Sequence, residues 1–223
     1  MALPRLELSD ADRACLSAPT LYALERGGLA VTLCAIPNEF GVANIVAAAE
    51  HKALGFGAVG AAANICPYKA IEKAVLESLH GWIGFSQTAA KRQAPLTRGE
   101  IETPHDHALY YMHKENWADL SWFLHGGDTI QLESLRRGPV IDTSDGLVQR
   151  LRAHGFGAYL FNLTTDDIAS LGLEVVRALV PGLQPLSFGK APVSEDRRRL
   201  QTYAELWHWS MPEVLTTQPH PFP

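Results

Sequence analysis

Apolar positions fall along this chain in two rhythms. Residues 29–36 run Leu-Ala-Val-Thr-Leu-Cys-Ala-Ile, nearly unbroken. Such a run predicts a strand buried on both faces. Pro37-Asn38 makes a turn after it. Residues 42–49 form a second apolar run of β character, and residues 56–63 a third, rich in glycine and alanine. Three strands in succession predict an antiparallel or mixed sheet rather than alternating βαβ units. Ahead of them, Ser9 or Asp10 caps a helix through roughly Glu25, and Gly27-Gly28 ends it.

The rhythm then changes to that of a helix. Ala70, Ile71, Ala74, Val75, Leu79 and Trp82 recur with 3.6-residue spacing over 67–85, so one face must pack on the sheet. Pro67 suits the first helical position. Residues 86–104 are polar and read as a mobile loop or a connection that orders on binding. Tyr110, Tyr111, Trp117, Trp122 and Phe123 mark helices within 106–124. Val140-Ile141 reads as a short strand, and Ser144 or Asp145 caps a helix that stops at Gly155. A strand over 158–163, a short helix capped by Thr165, and a strand over 173–180 follow. This second part reads as β-α-β alternation. The fold class expected is mixed α/β, one sheet with packed helices.

Composition narrows the partners. A length of 223 residues allows one domain or two small ones. The net charge of −5 implies no basic surface for nucleic acid. Arg136-Arg137 and Arg197-Arg198-Arg199 read as solvated loops. Cys15, Cys34 and Cys66 lack zinc-site or redox spacing and suit a reducing cytosol. No signal peptide opens the chain, and no apolar stretch reaches membrane-spanning length. A soluble, cytoplasmic protein without membrane contact is expected.

Several motifs dissolve on inspection. Gly55-Phe56-Gly57-Ala58-Val59-Gly60 matches the dinucleotide fingerprint letter for letter, but Ala61-Ala62-Ala63-Asn64 continues as strand and the helix waits for Pro67. Glycines that let a strand pack closely on a helix or nucleotide explain it better. Asp142-Thr143-Ser144-Asp145-Gly146 lacks the later carboxylate of a calcium loop and reads as turn plus helix cap. His105, Asp106, His107 and His113 could form a metal cluster, yet capping and surface histidines are the favoured reading.

The chain stops on Pro219-His220-Pro221-Phe222-Pro223. Three prolines in five residues exclude helix and central strand, so this tail should lie extended. A stiff tail with a terminal carboxylate can present an anion to a pocket, whereas most chain ends simply fray. Upstream stand Leu163-Thr164-Thr165-Asp166-Asp167 and the run Leu171-Gly172-Leu173-Glu174-Val175-Val176-Arg177-Ala178-Leu179-Val180-Pro181-Gly182-Leu183-Gln184-Pro185-Leu186. Together with the tail these resemble the C-terminal half of YcaO-type proteins of azole-modified peptide pathways. Those proteins use ATP to activate peptide amides. The segment from Asp106 to Tyr111 also occurs in similar form there, in a linking helical segment.

The resemblance implies site residues. The helix carrying Glu72, Lys73, Glu77 and His80 matches one that presents carboxylates about a turn apart, followed by a polar residue, and holds magnesium on the nucleotide phosphates. Glu77 fits the metal position, and His80 follows it as a cofactor contact. Lys73 stands where the partner acid belongs, and a Lys73–Glu77 surface ion pair is an equal alternative. Arg177, a lone cation in an apolar run, is a phosphate contact by resemblance, or else an ion-pair partner of Glu174 or an outward-facing side chain. Pro223, through its carboxylate, is the expected catalytic group that positions the reacting atoms.

The YcaO domain is considerably longer than this chain, and its N-terminal half supplies another acidic helix and further nucleotide contacts. The expected organisation is a helical lead-in over 1–28, a truncated YcaO-like domain over 29–218 and a tail over 219–223. Two readings follow. In one, the subunit, naturally short or split or else trimmed from a longer protein, binds ATP and Mg2+ only when a partner completes the site, and azolines form in a precursor peptide. In the other, it is a degenerate scaffold without ATP turnover. Partners expected are the precursor peptide and a second protein: the missing YcaO half, a peptide-binding protein related to ubiquitin-activating enzymes, or a flavin-dependent dehydrogenase.

Overall fold

The computed structural model describes residues 2–92, 94–135, 141–184, 186, 197–206, 208–211, 213, 216 and 218–222. In chain order the elements are β1 (Arg5–Glu7), α1 (Asp10–Ala14), α2 (Ala18–Arg26), β2 (Ala30–Ala35), β3 (Ala43–His51), β4 (Phe56–Asn64) and α3 (Pro67–Lys91). There follow α4 (Pro104–Tyr111), α5 (Lys114–Ala118), α6 (Ser121–His125), β5 (Thr129–Gln131), α7 (Ser144–Ala153), β6 (Tyr159–Asn162), α8 (Asp166–Ser170), β7 (Val176–Leu179) and α9 (Arg197–Leu206). None of the described helices is long and apolar enough to cross a membrane.

The main sheet has the order β4-β3-β2-β1-β5. The β2-β3-β4 meander is antiparallel, as the apolar runs predict, and β5 adds parallel to β1. Strand alternation sorts the apolar runs onto two faces. Leu33, Ile45 and Ala47 face α2 and α3 with Ala70, Ile71, Ala74 and Val75. Cys34, Val46, Ala48 and Val59 face the other way, against Tyr110, Tyr111, Trp117 and Leu124. Burial on both faces is why the runs show no polar alternation.

Local chemistry sets the helix bounds. Pro67 occupies the first turn of α3, which runs on to Lys91 because no breaker intervenes in 86–91. The expected loop therefore begins later. The single helix expected before β2 is two, with Ser9 and Ser17 as separate N-caps. Thr103 caps α4 in a capping box with Asp106. Thr143, rather than Ser144 or Asp145, caps α7 by accepting from the Gly146 N–H at 3.1 Å.

Other expectations need correction. β6 and β7 are separated by a helix, but they pair antiparallel as a hairpin in which Phe161 faces Arg177. A five-residue helix is too short for the parallel crossover that β-α-β alternation implies. Ile141 is not in a strand, and Val140, like Arg136 and Arg137, lies outside the described residues. The Arg197–Arg199 run opens helix α9 rather than a solvated loop. Arg199 pairs with Glu39 at 2.5 Å and lies over the rings of Phe40 and Phe156.

Candidate functional site

α3 reaches the sheet where glycine lets it. A Cβ built on Gly60 would stand 2.5 Å from both the Ala74 carbonyl oxygen and the Ser78 nitrogen. Of the two expectations for the glycine-rich strand, close packing on a helix or on a nucleotide, the structure shows the helix. The close approach brings Glu77 to the outer edge of β4, where its Oε2 accepts the Ala61 N–H at 2.7 Å. Glu77 is half-buried, while Lys73 and His80 on the same helix are exposed. The Lys73–Glu77 ion pair is absent among the described residues, although both stand on the expected spacing. Glu72 turns elsewhere and accepts the Ser17 N–H at 2.7 Å.

One oxygen of Glu77 is held by the backbone, which leaves the other for a ligand. A magnesium ion on phosphates needs several converging oxygens. Among the described residues no group of three or more His, Cys, Asp or Glu side chains gathers to hold a metal. Mg2+ on a nucleotide takes one or two protein carboxylates beside the phosphates, and among the described residues Glu77 can supply one. The histidines disperse as well. His105 meets Phe85 edge to face, and His113 precedes α5 as its N-cap. His107 is only 4% exposed, against the expectation of a surface histidine.

Arg177 stands on β7, exposed, and its side chain has no ion-pair or hydrogen-bond partner among the described residues. Its hairpin is unusual throughout. Every residue of β6 and β7 is exposed, and eleven of the fifteen exposed large apolar side chains among the described residues lie in 159–186. Leu160 and Leu171 are 68% and 71% exposed.

The tail does not project freely over 218–222. The Tyr111 hydroxyl donates to the Pro219 carbonyl at 2.6 Å, and His107 Nδ1 lies 3.1 Å from the His220 carbonyl. Pro223, the expected catalytic residue, lies outside the described residues. The Asp106–Tyr111 segment and the tail each stand out in the sequence, but no local pattern announces that they meet.

Comparison with known proteins places the whole arrangement. A heterocyclase solved in complex with substrate and cofactor superposes with a TM-score of 0.70 at 17% identity, over 99% of this chain and 28% of its own. YcaO from Methanopyrus kandleri, bound with AMPPCP and Mg2+, gives 0.56 at 22% identity, over 96% of this chain and 50% of its own. The heterocyclase TruD gives 0.58 at 19% identity, over 100% of this chain and 29% of its own. At these identities the likeness is one of fold, and this chain spans half or less of each of those chains. No curated protein sequence matches it. A family model, YcaO cyclodehydratase, ATP- and Mg2+-binding, matches residues 1–184. With the mixed sheet, the α3–β4 packing and most of its length matched, the chain belongs to the YcaO family.

Proposed function

We propose that this chain is a non-autonomous YcaO-like subunit of a complex that modifies the backbone of a ribosomally synthesised precursor peptide. The reaction class is ATP- and Mg2+-dependent cyclodehydration to azolines, with a second polypeptide completing the site. In this reading Glu77 offers its remaining oxygen to the metal. His80 and Arg177 meet the nucleotide phosphates, and the Pro223 carboxylate orients the reacting groups.

The observation that carries the reading is the exposure of the hairpin segment. All but its last two residues lie within the stretch matched by the family, yet its apolar side chains and Arg177 face solvent. A two-stranded hairpin alone is marginal in water, and an apolar surface of this extent marks an interaction site. Glu77 alone would neutralise a triphosphate only in part, so further ligands must converge on it.

The test is ATP hydrolysis and loss of water from the precursor peptide, measured with the purified chain alone and with the products of the neighbouring genes. Activity only in the mixture is expected. Full turnover by the chain alone overturns the reading.

A second reading, a scaffold without ATP turnover that holds the precursor peptide or a flavin-dependent dehydrogenase, is favoured by Lys73. That exposed cation stands one turn before Glu77, where a second carboxylate would serve the metal. Peptide modification that requires this chain, with no hydrolysis in any mixture, decides for the scaffold.

A further inference from the structure

The end of the chain is held by bonds that a frayed terminus would not make. Proline carries no N–H, so Pro219 offers the backbone only a carbonyl. α4 answers with donors. Tyr111 donates its hydroxyl to the Pro219 carbonyl at 2.6 Å. Burial pushes the Tyr111 phenol well above its ordinary range, so it stays protonated and stays a donor. One turn earlier, His107 Nδ1 lies 3.1 Å from the His220 carbonyl. A carbonyl oxygen only accepts, so Nδ1 carries the proton.

The rings reinforce the bonds. His107 and His220 stack with centroids 3.9 Å apart and planes 12° from parallel. His220 Nδ1 accepts the Phe222 N–H at 3.3 Å, which closes a tight turn. Pro221 is buried, and Phe222 packs on the side of the sheet that carries Tyr110, Tyr111 and Trp117. At the near end Gln218 Nε2 donates to Asp119 Oδ2 at 3.1 Å. Two carbonyls, the Phe222 N–H and the side chains of Gln218, His220 and Phe222 are thus fixed.

We propose that α4 is the anchorage of the C-terminal tail, with His107 and Tyr111 as positioning residues that set the register of residues 219–222. The docking stands on these contacts. Its consequence for catalysis rests on the function proposed above, in which Pro223 acts at the reaction centre. A helix that the sequence marks only as a linking segment thereby gains a purpose.

Hydrogen exchange at the Phe222 amide of the full chain tests it. This amide is protected in the parent protein. Tyr111→Phe or His107→Ala speeds its exchange about three- to tenfold, the worth of one net hydrogen bond. His107→Asn, which retains an N–H donor, restores protection, and the β3 amides stay protected in every variant. Free-peptide exchange in the parent protein, or no change in both variants, overturns the anchorage. In the mixture with its partners, Tyr111→Phe lowers kcat and leaves KM for the precursor peptide unchanged. A loosened tail with unchanged kcat overturns the positioning role. A mixture without turnover sinks the proposed function instead, while exchange still decides whether α4 holds the tail.

Discussion

Glu77 on α3 accepts the Ala61 N–H of β4 at 2.7 Å, across the gap that Gly60 leaves between helix and strand. The bond caps an open edge of the sheet, since β4 is its last strand. It also orients the candidate ligand, since one carboxylate oxygen is tethered to β4. Packing and site are one construction here, because the glycine that seats the helix also aims the acid.

Gly60→Ala tests the seating. The new Cβ would meet backbone atoms of Ala74 and Ser78 at 2.5 Å, and backbone cannot swing aside as a long side chain can. Overpacking of this kind costs about 1–3 kcal/mol. Urea unfolding should show a lower midpoint with an unchanged slope. A midpoint equal to that of the parent protein would mean that α3 does not pack this closely.

Glu77→Gln separates structure from ligation. The amide oxygen still accepts the Ala61 N–H, so stability should change by less than about 1 kcal/mol. The charge is gone, so Mg2+-dependent nucleotide binding by the completed complex should weaken about tenfold or more, as when a charged ligand is lost at a metal. Titration of a nucleotide analogue at fixed Mg2+ measures it. Equal affinity with and without the charge would remove Glu77 from the metal.

The body of the fold was legible because strand and helix periods are local. The β2-β3-β4 meander and α3 follow from apolar runs and from Pro67. β1 and β5 were not legible, since each is three residues long and exists through pairing with distant chain. α9 was hidden behind three arginines, whose charge suggests solvent. The partner of Arg199 is Glu39, far away in sequence, and no local pattern announces it. Glu77 was readable as an acid on a helix face, but its hold on Ala61 depends on how α3 crosses β4. The tail illustrates the same limit: its stiffness is written in its prolines, whereas its seat on Tyr111 and His107 is a tertiary fact.

Burial pushes the Cys34 thiol up from 9.0 to about 11, with Arg5 pulling slightly the other way. The folded chain therefore keeps a proton that the unfolded chain loses over this window. Cys34's contribution is fully present below pH 9.0 and is lost as pH rises toward about 11. Stability should fall over that range, and Cys34→Ala should fall less steeply. The exposed Cys15 should react at once with a thiol reagent, while Cys34 waits for opening. Equal alkaline slopes in the two proteins would count against a buried, neutral Cys34.

Arg199 and Glu39 form a pair whose side chains are 15% and 7% exposed, with aromatic rings around the guanidinium. Removing one partner leaves the other charge buried, which costs about 3–5 kcal/mol unless α9 detaches first. Glu39→Ala should therefore release α9 to proteolysis. Removing both charges together should cost less than the sum of the single changes. Strict additivity in a double-mutant cycle would show that the two side chains do not act on each other.

The hairpin gives the sharpest test of incompleteness. Leu160 and Leu171 are 68% and 71% exposed, so lysine at both sites removes little buried area from the chain itself. Stability should stay within about 0.5 kcal/mol of the parent, as for surface changes generally. Binding of an apolar dye and self-association in light scattering should both fall, because the sticky face is now charged. If a second polypeptide covers this face, the same variant should fail to assemble with it and lose peptide modification. Unfolding of the double variant would mean that these leucines are buried within the chain. Normal assembly and normal modification would mean that no partner covers this face, and the case for a shared site would lose its main support.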